Sequence, residues 1–511
     1  MADQQMDPER EKRRREARRK RKERERRIAL IKRAVFFVCL LILLGICLVF
    51  LVKALKKNKK PDTAQNDIDG VVDENELSGE GEEDGEGSLP GGTLGALLGE
   101  AEALAVQYDY DGAIEKLQTW SDQTNQDVVK AIADYTAQRD ACVTVDVSTV
   151  PHIFFHSLIN DDRAFIVTDT VTEGRVIANN AAMATVDEFN HVIQAMYDAG
   201  YVMIRLDDMV VRNEDGTFTK NTSIRLPAGK KAFIMSEDDL SYYHAYGENG
   251  EQGYADRLVI DGNGKVKCEY VDPSGNRLVG DYDMVPLIDT FIENHPDFAY
   301  KNARPTIALT GYNGIFGYIT NTYYKDGGDM ENLGQSQKNW LAAHPEYDYD
   351  TDCANARQIA EALKAEGWTF ASHTYGHLDA NAQPVETLMR DHERWKLCVG
   401  DIIGGTDKII FAFGADIGGA GNYTMDNAKY AYYKSEGFDF FCNCDGTWGW
   451  TQITSDYVRT GRFAIDGFTL YQAMTPEGGS HERCSYNYEQ LGVKDIASFF
   501  DRNRTTPIES E

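Results

Sequence analysis

Hydrophobic positions along the chain follow three different rules. Residues 34–52 are apolar or Gly, with no charge among them. As a helix that run spans about 28 Å, close to the hydrocarbon core of a bilayer. It lacks the polar stripe of a soluble helix. Lys53, Lys56, Lys57, Lys59 and Lys60 follow it in place of a small-residue cleavage site, so one uncleaved transmembrane helix is expected. Residues 93–141 change to a helical period. Leu94, Leu97, Leu98, Ala101, Leu104 and Ala105 recur three and four apart, Asp109 can cap a second helix carrying Ile114 and Leu117, and 126–139 is a third candidate. From about residue 143, short apolar runs alternate with amphipathic segments. Strands are expected at 151–158, 200–205, 230–236, 304–309 and 368–372. Helices are expected at 187–199, with Phe189, Val192, Ile193 and Met196 on one face, and at 354–366, stopped by Gly367. That alternation predicts an α/β domain.

Charge divides the chain further. Residues 1–33 hold 15 Lys or Arg against 7 Asp or Glu, while residues 61–90 hold 11 acidic and no basic residues. The basic excess ahead of the apolar run predicts a single-pass protein of the cell membrane, with its amino terminus in the cytoplasm and its carboxyl-terminal domain extracellular. The acidic stretch cannot build a core and reads as an extended linker. The expected division is a basic head at 1–33, a transmembrane helix at 34–52, an acidic disordered linker at 53–92, a small helical region at 93–142 and an α/β domain at 143–511. A net charge of −29 leaves the folded part strongly acidic. It would repel nucleic acid and suits a neutral or cationic polymer as partner. Seven cysteines lie beyond the apolar run, an odd number at low density, which excludes a disulfide scaffold. Cys442 and Cys444 share a strand face and fit either two buried thiols or a pocket wall.

Two stretches carry chemistry. Residues 233–239 end an apolar run in Asp238 and Asp239, and residues 372–377 place His373 and His377 four apart. One carboxylate and two imidazoles make a facial ligand set for a divalent metal with positions left open. The second carboxylate is then free to act as a base. Asp238, Asp239 and His373 fall just past expected strand ends, where α/β barrels gather their catalytic groups.

The string Ala105 to Leu117 resembles part of a tetratricopeptide unit, making 93–142 a tetratricopeptide-like helical hairpin. Residues 150–470 resemble a polysaccharide deacetylase, carbohydrate esterase family 4, with its NodB homology domain. His152 to Leu158 is similar to the family's opening strand. Ser236-Glu237-Asp238-Asp239-Leu240, preceded by Pro227-Ala-Gly-Lys230, is similar to its Thr-Phe-Asp-Asp-Gly motif. Glu366 to His377 is similar to its His-Thr/Ser-x-x-His motif and the strand before it. Gly437 to Asp445 is similar to the strand leading to its fourth motif, with Asp445 and Trp448. The resemblance implies a distorted (β/α) barrel over residues 143–511. Its function would be a membrane-anchored extracellular deacetylase, a hydrolase that removes N- or O-acetyl groups from a cell-wall or surface polysaccharide. It implies Asp239, His373 and His377 as ligands of a divalent metal, most often zinc, Asp238 as the base, and Tyr375 and Trp448 as substrate-binding residues.

The chain also departs from that pattern. The third motif's Arg, which braces the catalytic Asp, is absent from Ile410-Phe-Ala-Phe-Gly414, and the fifth motif's His is absent from residues 468–474. His481 fits either a substitute acid or an exposed loop histidine. A non-catalytic glycan-binding pseudoenzyme on the same fold is the second reading. Tyr312, Tyr318, Trp448 and Trp450 fit an aromatic groove under either reading, or core positions.

Overall fold

The computed structural model describes residues 93–168, 171–242, 253–419, 421–475, 479–501 and 504. The expected head, transmembrane helix and linker lie outside the described residues. Among the described residues no helix is long and apolar enough to cross a membrane. The expected single-pass cell-membrane localisation is corrected on that finding.

Seven parallel strands close on themselves in chain order. They are β1 (His152–His156), β2 (Lys231–Asp238), β3 (Thr306–Leu309), β4 (Thr369–Ser372), β5 (Lys408–Ile410), β6 (Phe440–Cys444) and β7 (Val458–Ala464). Each pairs with the next, and β7 returns to β1 with Arg462 opposite His152 and Ala464 opposite Phe154. Helices such as Val186–Asp198 and Tyr349–Glu366 connect successive strands. The protein is therefore an α/β barrel. β2 serves three neighbours because it is long. Its first residues pair with the strand Tyr201–Met203 and its last with β3.

Both faces of these strands are covered, which is why they read as continuous apolar runs. Ile153, Phe155, Phe233, Met235, Ile307 and Leu309 point outward into a core shared with the helices. The alternate residues Ile234, Ala308, Ile410, Cys442 and Val458 fall in a second, interior cluster. Helix boundaries follow local chemistry. Thr185 and Glu188 form a reciprocal capping box at the start of Val186–Asp198, and Gly367 ends Tyr349–Glu366 at φ 103°, left-handed backbone that costs glycine nothing.

Residues 93–141 form three helices, Leu94–Val106, Tyr110–Gln118 and Gln126–Ala141. Ala101, Ala113 and Leu117 belong to the same apolar cluster as the barrel interior. The Lys301 N–H donates to the Gln107 carbonyl at 2.9 Å, and Lys301 Nζ lies 2.7 Å from Asp109 Oδ1, both just ahead of β3. The helices thus close the barrel end opposite the strand carboxyl termini. A three-stranded antiparallel sheet, Arg257–Ile260, Val266–Val271 and Arg277–Gly280, is inserted between β2 and β3.

If plug and barrel share one core, they should unfold together. Leu117→Ala, at a fully buried position, is expected to lower stability by about 2–5 kcal/mol. Denaturant unfolding followed by tryptophan fluorescence and far-ultraviolet circular dichroism should give one shifted transition. A separate early transition would mean that the helices fold apart from the barrel.

Candidate metal centre

The site is built at the carboxyl ends of β2 and β4. Asp238 is the last residue of β2, and Asp239 follows it at φ 61°, left-handed backbone that Asp tolerates better than most residues. The Asp239 N–H continues the ladder onto the Ala308 carbonyl at 3.1 Å. His373 follows β4, with its N–H on the Leu309 carbonyl at 3.0 Å. The turn from His373 to His377 is not helical. Thr374 (φ 62°) and His377 (φ 51°) are both left-handed, so the two imidazoles come together by a strained loop, with ring centres 5.0 Å apart. The Asp391 carboxylate, from helix Val385–Trp395, accepts the Tyr375 and Gly376 N–H groups at 2.7 and 2.9 Å. The Tyr375 carbonyl in turn accepts Gly311 N–H and Tyr312 N–H from the loop after β3.

One atom each of Asp239, His373 and His377 falls within 4.8 Å of the others. His377 Nε2 is 3.7 Å from Asp239 Oδ2. His373 Nδ1–H donates to the Ile410 carbonyl at 2.7 Å, which fixes the tautomer and leaves the Nε2 lone pair facing the triad. Burial pushes the His377 imidazole below its ordinary value, against the pull of Asp239, so it is neutral and able to ligate. Asp239 Oδ1 is buried with no hydrogen-bond partner. A neutral imidazole pair beside an orphaned carboxylate oxygen fits a divalent cation, zinc included, with open positions remaining.

Asp238 belongs to a different set of contacts. Arg462 of β7 donates Nη1 to Asp238 Oδ1 at 2.8 Å and Nη2 to Oδ2 at 2.9 Å, a two-point clasp. Both side chains are almost fully buried. The guanidinium also lies 3.9 Å from the Phe154 ring centre and donates to Ser236 Oγ. Ser236 in turn meets His152 Nε2 at 3.0 Å, and His152 Nδ1 meets Thr460 Oγ1 at 2.9 Å. Burial would raise the Asp238 carboxyl, but Arg462 and then His373, 3.8 Å away, outweigh it and hold it at about 2. The expectation of an unbraced Asp is thereby corrected, because the brace arrives from β7 and not from the third-motif position.

A cavity of about 690 Å³ opens over the triad. Its walls include His156, Tyr312, Cys444, Asp466 and helix Glu173–Ala182. Phe413, 71% exposed and at φ 58°, stands at the mouth with its ring 4.4 Å from His377. Of the anticipated site residues, Asp238, Asp239, His373 and His377 share this cavity, while Tyr375 and Trp448 are not among its lining residues. The Tyr375 ring sits under the Arg394 guanidinium at 4.7 Å, and Trp448 packs partly buried against the main core. Tyr318 is buried with its hydroxyl on the Leu258 carbonyl, and Trp450 lines a separate groove with Phe218 and Gln452. Cys442 is an interior core residue and Cys444 a wall. His481 lies on helix Ser480–Leu491 with Nδ1 on the Thr475 carbonyl, not in the cavity lining.

Sequence reasoning missed Arg462, His156 and Asp466. The signal for Arg462 was present. Thr460 and Arg462 alternate along a strand with Phe463 pointing outward, so an Arg faces a barrel interior, where only a buried anion can balance it.

No family model matches the chain, and no curated protein matches it. Among solved structures, the Streptococcus pyogenes deacetylase PplD in complex with acetate superposes with a TM-score of 0.30 at 12% identity, over 66% of this chain and 100% of that chain. A superposition that loose carries no argument here.

His373→Ala and His377→Ala are each expected to abolish stoichiometric zinc binding by equilibrium dialysis, and full occupancy in both would remove the assignment. Zinc affinity should fall with decreasing pH, with onset below the ordinary histidine value of about 6.5, because only neutral His377 ligates and burial holds its value down. Arg462→Gln should raise the Asp238 carboxyl above about 2, since burial is then less opposed. Carboxyl titration by NMR reads that shift directly.

Proposed function

We propose that the protein is a metal-dependent deacetylase of the polysaccharide deacetylase type, acting on an acetylated polysaccharide. The observation that carries this reading is the pairing of a facial Asp239–His373–His377 set with an unliganded, clasped carboxylate, Asp238, at one strand end. A divalent cation held by the triad, zinc being the natural fit, would supply polarisation of the acyl carbonyl and activation of water.

The chain's own groups divide the remaining work. Asp238 is ionised at every working pH and receives the proton of the attacking water. Arg462 holds both its oxygens, so the carboxylate stays oriented and ionised until that proton reaches it. As the tetrahedral species collapses, the C–N or C–O bond breaks and the leaving amine or hydroxyl needs a proton. His156 is placed to give it. It ends β1 directly opposite Asp238 in register, lines the cavity, and lies near enough to Asp466 to act on that carboxyl electrostatically. Burial raises Asp466 above the usual carboxylate range, and its Oδ1 is anchored by the Thr469 N–H at 2.7 Å. This pair stands in for the missing fifth-motif histidine.

Asp238→Asn should retain zinc yet lose acetate release by a factor on the order of 10² to 10⁴, the usual weight of a general base. His156→Gln should lower acetate release on the order of 10²-fold, the usual weight of a general acid. A zinc-loaded protein that binds N-acetylglucosamine oligomers but releases no acetate from N- or O-acetylated glycans would favour the glycan-binding reading. Unchanged activity in Asp238→Asn would show that another group is the base.

A further inference from the structure

We infer that Arg504, near the carboxyl end of the chain, is a positioning residue for the metal cavity: it pins the helix Glu173–Ala182 that forms one wall. This rests on the deacetylase reading only for the catalytic consequence and not for the geometry. That helix and its flanks place Thr172, Gly174, Arg175, Ala178, Ala182 and Met183 on the cavity. None of them is near the triad in sequence, and the helix belongs to no barrel strand.

The pin is specific. Arg504 Nη1 donates to the Asn180 carbonyl at 2.7 Å and Nη2 to the Met183 carbonyl at 2.8 Å, at the open carboxyl end of the wall helix. Carbonyls at a helix carboxyl end and the helix dipole both favour a cation there. Nη2 also donates to Glu188 Oε2 at 2.8 Å, and both side chains are fully buried. Glu188 is already committed. Its Oε2 accepts Thr185 N–H and its Oε1 accepts Asp501 N–H, each at 2.8 Å. One guanidinium thus ties the end of the wall helix to the start of the next helix and to the chain's last described segment. The neighbouring helix Gly467–Met474 leaves room for it only because residue 467 has no side chain. A Cβ there would lie 1.5 Å from Arg504 Nη1 and 2.3 Å from the Asn180 carbonyl oxygen. Gly467 directly follows Asp466, itself a cavity residue, so the pin packs against two sides of the cavity.

Removing a fully buried Arg strands Glu188, and a simple alanine variant risks misfolding. Two milder routes test the inference in the full-length chain. Arg504→Met with Glu188→Gln removes both charges at similar volume, and Gly467→Ala displaces the guanidinium while leaving it in the sequence. Hydrogen exchange should rise at residues 173–183 in both variants, with β1 to β7 still protected and zinc affinity within about twofold of the parent. With an N-acetylglucosamine tetramer as probe, KM should rise about tenfold or more with kcat nearly unchanged, the mark of lost substrate placement. Arg504→Lys should restore part of the loss. Unchanged exchange at 173–183 in both variants overturns the pin. Raised exchange with unaltered KM and kcat overturns its role at the site. If the parent neither binds nor deacetylates the tetramer, the deacetylase reading fails, while exchange confined to 173–183 still upholds the positioning of the wall.

Discussion

A buried ion pair sets the terms for this barrel. Arg462 and Asp238 face one another in its interior, almost sealed from water, where an isolated charge of either sign would cost several kcal/mol. Each is tolerated only because the other is there. The pair joins β7 to β2 across β1, so it forms only when the ring is closed in the correct register. Shifting β7 by one residue would turn Arg462 outward and leave Asp238 bare. The polar chain Thr460–His152–Ser236–Arg462 continues the same logic. His152 is held well below its ordinary value by burial, so it serves as a neutral relay of hydrogen bonds and adds no third charge.

Around this pair the site is held by groups that are not themselves reactive. The Ile410 carbonyl chooses the His373 tautomer, and Asp391 gathers two N–H groups of the histidine loop. Four residues in left-handed backbone, Asp239, Thr374, His377 and Phe413, lie within or beside the triad. Such conformations cost of order 1–3 kcal/mol each for ordinary residues and persist only where surrounding contacts over-determine them. Here strain and supporting contacts coincide at the triad.

Much of this was legible in the sequence, and the parts that were not share a cause. The strands ending at Asp238 and Ser372 stand out as apolar runs because they are covered on both faces, and the helix expected at 187–199 by its one-sided period. The candidate cluster of Asp239, His373 and His377 was legible because Asp239 and His373 directly follow strand ends that local pattern marks, and His377 lies four residues beyond His373. Arg462 is 224 residues from Asp238, and nothing local to either residue names the other. The same holds for His156, whose importance comes from register opposite Asp238, and for Arg504, whose partners lie 316 to 324 residues away. The sheet between β2 and β3 was missed although Gly262-Asn263-Gly264 and Pro273-Ser274-Gly275 mark its two turns. Its two outer strands have four residues each, too few to show a period. The helices at 93–141 were read as a tetratricopeptide-like hairpin with no partner surface named, because a helical period shows which face is apolar and not what covers it.

The choice between catalyst and binding module turns on the cost of the Asp238–Arg462 pair. A buried salt bridge is poor evidence for stability, since apolar side chains of similar volume often do as well or better. A module that merely held a glycan over a metal would need Asp239, His373 and His377, and the interior position of Asp238 would be better filled by a hydrocarbon. The chain instead fixes a second carboxylate beside the triad, keeps it ionised at about 2 by a two-point clasp, and leaves it outside the ligand set. Under the proposed hydrolysis, a carboxylate held charged beside the triad answers charge that develops during reaction and not charge already present in a bound sugar. The clasped carboxylate thus has a task under the proposed hydrolysis that simple binding would not require of it.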